Sequence, residues 1–222
     1  MNYELIEDVL DKEIYEEINK KFNSSFFPWF YNDSTIPGAD NNFMFTHHIY
    51  RNGQISSEYF NDILPILFEV GINTSKSKLL RVKANLYTNQ NENIYHATHT
   101  DFPDLEKYYT AVYNFTDCNG GTILFVEDHD VSVPSIANSL LVFDGFIPHQ
   151  GFTQTDKNSR VLLNIDFMWY NPTMDYFVGF IIGFICKEIY NLLKYLSTSE
   201  TIILDNNFDE EWDWITRPED LP

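Results

Sequence analysis

The start of the chain carries a helical repeat of apolar positions. Within Leu10–Phe22 (LDKEIYEEINKKF), Ile14, Ile18 and Phe22 recur every four residues, and Lys and Glu fill most of the positions between them. A spacing of four residues places side chains on one face of a helix. The pattern therefore predicts helical structure in residues 1–30, with the apolar face turned toward a core.

A second apolar segment predicts another helix over Ser57–Val70, with Pro65 in its first turn or at a kink. Between the two helices, Asn32–Phe45 is rich in Asn, Asp, Gly and Ser, which predicts a loop. The aromatic segment Phe26–Tyr31 (FFPWFY) either forms core beneath the helices or lines a groove together with that loop and Trp169.

From Leu79 onward the apolar positions alternate with polar ones, which is the period of a half-buried strand. Short strands separated by Gly, Pro, Asn and Asp turns are typical of an antiparallel sandwich or barrel. The pattern therefore predicts a mainly β domain with flanking helices, an α+β chain, and a long amphipathic helix over residues 174–196 after the last strand. The predicted strands are Leu79–Tyr87, Tyr108–Phe115, Gly121–Glu127, Ser139–Asp144, Gly151–Thr155 and Arg160–Trp169.

Composition and charge narrow the possible partners. The 222 residues include 14 Lys and Arg against 33 Asp and Glu, a formal net charge of −19. Such a surface repels phosphate backbones, so we expect neither nucleic acid nor an anionic membrane as a partner. Apolar residues make up 44% and aromatic residues 17% of the chain, which is enough for a real core. Residues 198–222 form an acidic tail with eight acidic residues and one basic residue, and this tail is a candidate for recruiting a basic partner.

The length and the cysteines favour one domain in a reducing compartment. We expect a single domain over residues 1–197, with helices in 1–78 and a strand-rich core in 79–170. Cys118 and Cys186 are too few and too far apart for a disulfide framework or a cysteine-rich zinc site, which fits the cytoplasm. Met1–Glu7 lacks the basic start and apolar core of a signal peptide. Phe177–Cys186 is too short to span a bilayer, so a buried helix is expected there.

Three potential metal ligands lie in the strand-rich region: His99, Asp101 and His149. In extended backbone, residues i and i+2 point to the same face about 6.6 Å apart, so His99 and Asp101 can share one ion. A later strand can bring His149 from the opposite wall. Two His and one carboxylate on one face of an octahedron leave three positions open, as in non-haem Fe(II) oxygenases.

Neighbouring residues strengthen this weak motif. Gly120 and Gly121 precede a strand and allow close backbone approach near a bulge. Arg160 lies eleven residues beyond His149, inside the apolar run RVLLNIDF. It is interpreted either as an edge-strand side chain in water or as a buried guanidinium that binds a carboxylate through a bidentate fork.

With these residues in their order, residues 79–170 resemble the catalytic core of the 2-oxoglutarate and Fe(II)-dependent dioxygenases, and most of all the prolyl-4-hydroxylase-like subgroup. The matching pieces are Tyr87, His99-Thr100-Asp101, the segment Gly120–Phe125, His149 and Arg160. The resemblance implies a double-stranded β-helix core, which is a jelly-roll, cupin-like barrel braced by helices.

The resemblance also implies site roles. His99, Asp101 and His149 would hold Fe(II), and Arg160 would pair with the distal carboxylate of the cosubstrate 2-oxoglutarate. Tyr87 would line the cosubstrate pocket. Where some relatives have a second pocket tyrosine, this chain has Asn114. With O2, such an enzyme would release succinate and CO2 and hydroxylate an unactivated C–H bond.

Other histidines and acids are weaker candidates. His96 lies an odd number of residues before His99, so on a strand it would face the other way and have at most a supporting or substrate-facing role. The adjacent His47 and His48 would point in opposite directions, and we favour a hydrogen-bonded polar pair that takes no part in the site. Asp128-His129-Asp130 is a rival metal motif that looks like an acidic turn.

The first expectation for function is a prolyl-hydroxylase-like enzyme acting on a peptide or protein. A small-molecule hydroxylase of the same class is the main alternative. Outside that class, a non-catalytic jelly-roll that binds metal and a partner, or an acidic interaction protein acting through its tail, stays open.

Overall fold

The computed structural model describes residues 3–36, 38, 42–72, 77–127 and 129–169. The helix predicted over 174–196, the apolar segment Phe177–Cys186 and the acidic tail lie outside these residues. The helices and strands in chain order are β1 (Tyr3–Ile6), α1 (Lys12–Phe22), β2 (Phe30–Asn32), β3 (Met44–Arg51), β4 (Gln54–Ile55), a 3₁₀ helix (Glu58–Ile63), α2 (Leu64–Glu69), β5 (Ser77–Thr88), β6 (Tyr109–Asn114), β7 (Cys118–Val126), β8 (His129–Ser135), β9 (Ser139–Asp144), β10 (His149–Phe152) and β11 (Ser159–Trp169).

The strands form two antiparallel sheets. The larger has the order β1-β9-β6-β11-β5-β3-β2, with β4 added on β3, and the smaller has the order β10-β7-β8. A buried cluster joins them: Leu124 and Val133 of the smaller sheet pack with Leu141 and Leu162 of the larger. Two antiparallel sheets around one core are the predicted jelly-roll architecture, and the mainly β class is confirmed.

Helices cover the other face of the larger sheet. Phe22 of α1 and Ile66 of α2 are fully buried in the same cluster as Val82 of β5 and Leu163 of β11. Because β5 and β11 lie in the middle of the sheet, their side chains alternate between this helix-covered layer and the space between the two sheets. Among the described residues, none of the helices has the length and apolar character needed to cross a bilayer.

The N-terminal segment departs from the prediction of a helix over 1–30. Tyr3–Ile6 is instead a strand that pairs with β9 at the edge of the larger sheet, and the helix covers only Lys12–Phe22. The free edge of β9 offers backbone partners that no local pattern reveals, and those partners override the helical tendency. The predicted loop falls close to the segment between β2 and β3, and Pro65 lies in the first turn of α2.

A strand of the smaller sheet was also missed by the sequence pattern. His129–Ser135, which begins inside the motif interpreted as an acidic turn, forms β8 and pairs with β7. Its polar residues and Pro134 hide the strand period, because β8 lies at the sheet edge where one side needs no partner. The pairing of β7 with β8 shifts register between Cys118 and Gly121, which is the irregularity expected at the glycine pair.

Candidate metal centre and cosubstrate pocket

One part of the site is a row of mostly polar side chains, the polar stripe, on the paired strands β5 and β11. In the antiparallel register of β5 and β11, alternate residues lie opposite each other and share one face of the sheet. The pairs, from one end of the stripe to the other, are Tyr87 with Arg160, Asn85 with Leu162, Lys83 with Asn164, and Arg81 with Asp166.

This stripe forms one wall of an inner cavity of about 520 Å³, a volume that includes its opening. Polar and titratable side chains from several strands meet there, which is typical of a binding site. The lining residues are Thr35, Met44, Lys83, Asn85, Tyr87, His96, His99, Val112, Thr122, His149, Gly151, Arg160, Leu162 and Asn164.

His99 and His149 are direct neighbours across an isolated antiparallel bridge. Each backbone N–H donates to the carbonyl oxygen of the other residue, at 3.0 and 2.9 Å, and the two ring centroids are 4.5 Å apart. The expectation that His149 approaches from an opposite wall is therefore wrong. His99 lies in irregular chain before β6, and its only β pairing is this bridge, so the assumed regular strand around His99 and Asp101 is absent from the described chain.

Asp101 completes a three-residue cluster. Its Oδ1 is 3.8 Å from Nε2 of His99, and its Oδ2 is 3.5 Å from Nε2 of His149. One ligand atom from each of the three residues lies within 4.8 Å of the others, which makes this a group that could hold a metal ion. The side chains of Asp101 and His149 are 4% and 5% exposed and that of His99 is 28% exposed, so the cluster opens on the His99 side.

The backbone fixes the tautomer of both imidazoles. Nδ1 of His99 lies 3.2 Å from the carbonyl oxygen of Ala97, and Nδ1 of His149 lies 3.1 Å from that of Ile147. A carbonyl oxygen only accepts, so each Nδ1 must carry the proton and donate it. In the neutral ring that metal binding requires, each Nε2 then has a lone pair directed at the cluster.

Arg81 links Asp101 to a second buried acid, Asp166. Its Nη2 donates to Oδ1 of Asp101, and its Nε donates to Oδ2 of Asp166 at 2.9 Å. Burial alone would raise the pKa of Asp101, but contact with His149 and the charge of Arg81 hold that pKa well below its usual range. Burial and repulsion from Asp101 raise the pKa of Asp166 to about 7. Asp101 is therefore an ionised carboxylate whose position Arg81 fixes.

Arg160 is buried without a carboxylate partner among the described residues. It is 1% exposed. Its Nη1 donates to the carbonyl oxygens of Gly121 at 2.7 Å and Phe152 at 3.3 Å, its Nη2 donates to Oδ1 of Asn114 at 3.3 Å, and its Nε has no partner in the described chain. Burial lowers the pKa of the guanidinium. A buried cation held only by neutral oxygens is suited to an anionic ligand.

The glycines beside Arg160 leave room that a side chain would fill. A Cβ on Gly121 would lie 2.4 Å from the carbonyl oxygen of Val133 and 2.9 Å from the ring of Phe152. A Cβ on Gly151 would lie 3.3 Å from Nδ1 of His96. The close backbone approach predicted at the glycine pair is present.

The remaining candidates fall into two groups. Tyr87 lines the inner cavity, and its ring lies 5.9 Å from the guanidinium carbon of Arg160. Asn114 is absent from the cavity wall and instead accepts from Arg160 and from Ser135. His96 lines the same cavity as His99 despite the odd spacing, because the chain between them is irregular.

The adjacent residues His47 and His48 point in opposite directions, as the alternation of side chains along a strand requires. His47 is held by the carbonyl oxygen of Pro28 at 2.8 Å and the hydroxyl of Ser57 at 2.7 Å, away from the cavity. His48 lines a second, outer cavity. In the rival motif, His129 and Asp130 are exposed on β8 and Asp128 lies outside the described residues.

The outer cavity adjoins the inner one. Its volume is about 880 Å³ including the open mouth, and Thr35, Met44 and Lys83 line both cavities. Sequence reasoning missed this second space because its wall combines β5 with the loop before β3. The other lining residues are Asn32, Asp33, Ser34, Gly38, Thr46, His48 and Arg81.

The residues present fit the two groups that the sequence resemblance implies. Two imidazole Nε2 atoms and one ionised carboxylate are the donor set of a facial Fe(II) site. The uncompensated guanidinium of Arg160 at the other end of the same cavity is suited to a dicarboxylate cosubstrate.

Comparison with solved structures gives the same architecture. An oxidoreductase of the 2OG-Fe(II) oxygenase family from Burkholderia pseudomallei matches with a TM-score of 0.60 at 14% identity, over 75% of this chain and 85% of that one. A prolyl hydroxylase from Trichoplax adhaerens, in complex with a hypoxia inducible factor peptide fragment, matches with a TM-score of 0.55 at 14% identity, over 75% and 83% of the two chains. The fold is that of these oxygenases.

A third similar structure contains ligands. The epimerase SnoN from nogalamycin biosynthesis, in complex with Fe3+, alpha ketoglutarate and nogalamycin RO, matches with a TM-score of 0.54 at 14% identity, over 79% of this chain and 84% of that one. No protein family model and no curated protein sequence matches this chain. The likeness therefore lies in the fold, and the function is argued from the site.

Proposed function

We propose that the protein is an Fe(II)- and 2-oxoglutarate-dependent oxygenase that hydroxylates an unactivated C–H bond. The observation that carries this proposal is one cavity lined by His99 and His149, which cluster with Asp101, and by a buried Arg160 without a carboxylate partner among the described residues. Metal ligands alone are compatible with a structural site. The additional buried cation is what a keto diacid requires.

Each residue has a physical role in this proposal. His99, Asp101 and His149 would hold the iron, and Nδ1 donation to backbone carbonyls keeps both imidazoles in the binding tautomer. Arg160 would pair with the distal carboxylate of 2-oxoglutarate, and Asn114 and the Gly121 carbonyl orient its guanidinium. The bound iron and keto acid would supply the oxidation of the C–H bond, with release of succinate and CO2.

The class of substrate is proposed separately from the class of reaction. Hydroxylation of a prolyl residue in a peptide is the first candidate, supported by Phe30 and Tyr31, which are 61% and 64% exposed immediately before outer-cavity residues. Phe27 of the same aromatic segment is core and Trp169 contributes no described side chain, so only part of the expected groove is available. A small-molecule hydroxylase is the second candidate, favoured by the polar side chains that line the inner cavity. A screen of peptides and metabolites, scored by a mass gain of one oxygen together with succinate release, separates the two.

The test of the class uses iron and cosubstrate directly. Anaerobic addition of Fe(II) and 2-oxoglutarate should give a visible metal-to-ligand charge-transfer band, and admission of O2 should give succinate. His99→Ala should abolish iron retention and the band. His129→Ala, which removes an exposed histidine from β8, should change neither.

Arg160 separates cosubstrate binding from metal binding. In Arg160→Ala we expect iron retention to persist while the 2-oxoglutarate needed for the band rises by about two orders of magnitude or more, since an unpaired buried charge typically costs ~3–5 kcal/mol. Arg51→Ala, on an exposed position of β3, is the matched control. An unchanged requirement for 2-oxoglutarate in Arg160→Ala would reject the assignment. Absence of both band and succinate in the wild type would favour a non-catalytic binding protein.

A further inference from the structure

Lys83 occupies a position that the proposed iron and 2-oxoglutarate chemistry does not use. It lies on the polar stripe of β5, and it lines both the inner and the outer cavity. In the register of β5 it is four residues from Tyr87, the residue opposite Arg160, which places the two backbone positions about 13 Å apart along the strand. Lys83 therefore stands between the proposed cosubstrate site and the outer cavity.

The ammonium group of Lys83 makes no direct ion pair or hydrogen bond with a described residue, whereas Arg81 two residues away binds two carboxylates. Burial and the charge of Arg81 lower the pKa of Lys83 to about 8, against the weaker attraction of Asp101 and Asp166, which raises it. It is therefore still mostly protonated near neutral pH.

The surroundings of Lys83 in the outer cavity favour an anionic group. His48 lies opposite Lys83 in the register of β3 and β5, and its Nδ1 is buried without a hydrogen-bond partner in the described chain. Burial and the neighbouring cations lower the pKa of His48 to about 4, so it is neutral and can donate one hydrogen bond. The one described acid on this wall, Asp33, is exposed and makes no ion pair with Lys83.

We propose that Lys83, with His48 beside it, binds a carboxylate of the primary substrate in the outer cavity. This inference rests on the proposed function, because it assigns the inner cavity to iron and 2-oxoglutarate. The carboxylate can belong to a small acid or to an acidic residue of a peptide, since both present the same group to the ammonium.

The methionine that lines both cavities gives a direct readout. Met44 is one of four methionines, so a ¹³C-methyl methionine label gives few signals, and Met44→Leu assigns the relevant one. The protein is loaded with Zn(II) and saturating 2-oxoglutarate and titrated with matched probes. One pair is N-acetylproline and its amide, and the other is the capped dipeptides acetyl-Pro-Glu-amide and acetyl-Pro-Gln-amide.

We expect a saturable shift of the Met44 methyl signal with at least one acidic probe, and an apparent affinity weaker by about tenfold or more for its neutral partner, an ion-pair difference of roughly 1.4 kcal/mol. Preference for N-acetylproline identifies a small acid, and preference for the Glu dipeptide identifies an acidic peptide. Lys83→Gln should remove the preference and Lys83→Arg should keep it. Lys78→Gln, which removes an exposed charge from the same strand, should have no effect.

Three results would overturn the assignment: equal binding of acid and amide, no saturable shift with either acid, or an undiminished preference in Lys83→Gln. A fourth is a loss of 2-oxoglutarate affinity in Lys83→Gln as large as that in Arg160→Ala, which would make Lys83 part of the cosubstrate site. The charge-transfer test is independent of these results. If the charge-transfer band is missing but the preference for acidic probes is intact, the oxygenase is rejected and the anion site is kept. If the band is normal but the preference is absent, the anion site is rejected and the oxygenase is kept.

Discussion

At the scale of single residues, Arg81 is the cation that binds both buried acids of the site. This one guanidinium contacts both Asp101 and Asp166, which are 4% and 0% exposed in their side chains. Without it, the ionised Asp101 would lose its bound cation, and the pKa of Asp166, already raised to about 7, would rise further and leave that acid protonated. Arg81 thus belongs to the stability of the barrel as well as to the geometry of the metal cluster.

Replacing Arg81 with methionine should therefore destabilise the metal-free protein strongly. We expect a loss of about 3–5 kcal/mol in the free energy of unfolding, because removal of one member of a buried ion pair leaves the charge of Asp101 uncompensated. Urea denaturation in the presence of a chelator measures it. The matched control is Arg51→Met, which removes an exposed cation opposite Arg81 on β3 and should change the free energy by less than about 0.5 kcal/mol. Equal effects of the two variants would contradict the role given to Arg81.

Replacing Lys83, in contrast to replacing Arg81, should stabilise the metal-free protein. Its pKa is about 8 in the folded protein and 10.5 as the ordinary value, so below pH 8 the protein holds a protonated lysine in a place that disfavours it. Lys83→Met should then stabilise the metal-free protein near pH 7 by an amount on the order of 2 kcal/mol. The unfolded chain binds more protons than the folded chain between pH 8 and 10.5, so wild-type stability rises with pH across that window.

The gain from Lys83→Met should consequently shrink as pH rises through that window. Urea denaturation of both proteins at about pH 7 and about pH 10 is the measurement. Lys78→Met removes an exposed lysine from the same strand and should show no such pH dependence. A difference between Lys83→Met and wild type that is constant with pH would show that packing, and not charge, is responsible.

At the scale of secondary structure, hydrogen bonds of the Asn138 side chain connect the N-terminal segment to the larger sheet. Its Oδ1 accepts from the backbone N–H of Leu10 at 3.0 Å and from the hydroxyl of Tyr113 at 2.7 Å, and its Nδ2 donates to the carbonyl oxygen of Leu10 at 2.8 Å. Its φ of 57° lies in the left-handed region. One side chain thus joins the turn before β9, the buried face of β6 and the chain leading into α1.

Asn138→Gly keeps the left-handed backbone and removes those three hydrogen bonds. We expect a loss of about 2 kcal/mol in the free energy of unfolding, because the buried hydroxyl of Tyr113 and the polar backbone of Leu10 lose their partners. Asn91 has a similar φ of 63° in an exposed turn, so Asn91→Gly isolates the backbone effect and should be nearly neutral. Comparable losses at both positions would assign the effect of Asn138 to the backbone alone.

The strand period predicted the middle of the barrel better than its edges. β5, β6, β9 and β11 follow the predicted segments closely, because these strands are buried and their apolar positions repeat with a fixed period. Among the strands that were missed, β1, β2 and β8 lie at sheet edges. An edge strand is held by backbone pairing with a neighbour distant in sequence, and that pairing leaves little trace in its own side chains.

At the scale of the whole molecule, an acidic chain encloses a cationic cavity. The net charge is −19, yet Arg81, Lys83 and Arg160 meet around the inner and outer cavities. Long-range attraction therefore does not favour an anionic ligand, and affinity has to come from short-range contacts inside a partly desolvated site. This division of charge agrees with a site built for small anionic groups.

The sequence by itself determined the β-rich core and the candidate ligands His99, Asp101, His149 and Arg160, because strand period and ligand chemistry are local properties. Only the tertiary structure decided that His149 pairs with His99, that Arg81 joins Asp101 to Asp166, and that Asn114 contacts Arg160 away from the cavity wall. Register between distant strands fixes those contacts. It depends on how the whole sheet packs, which no single segment of sequence records.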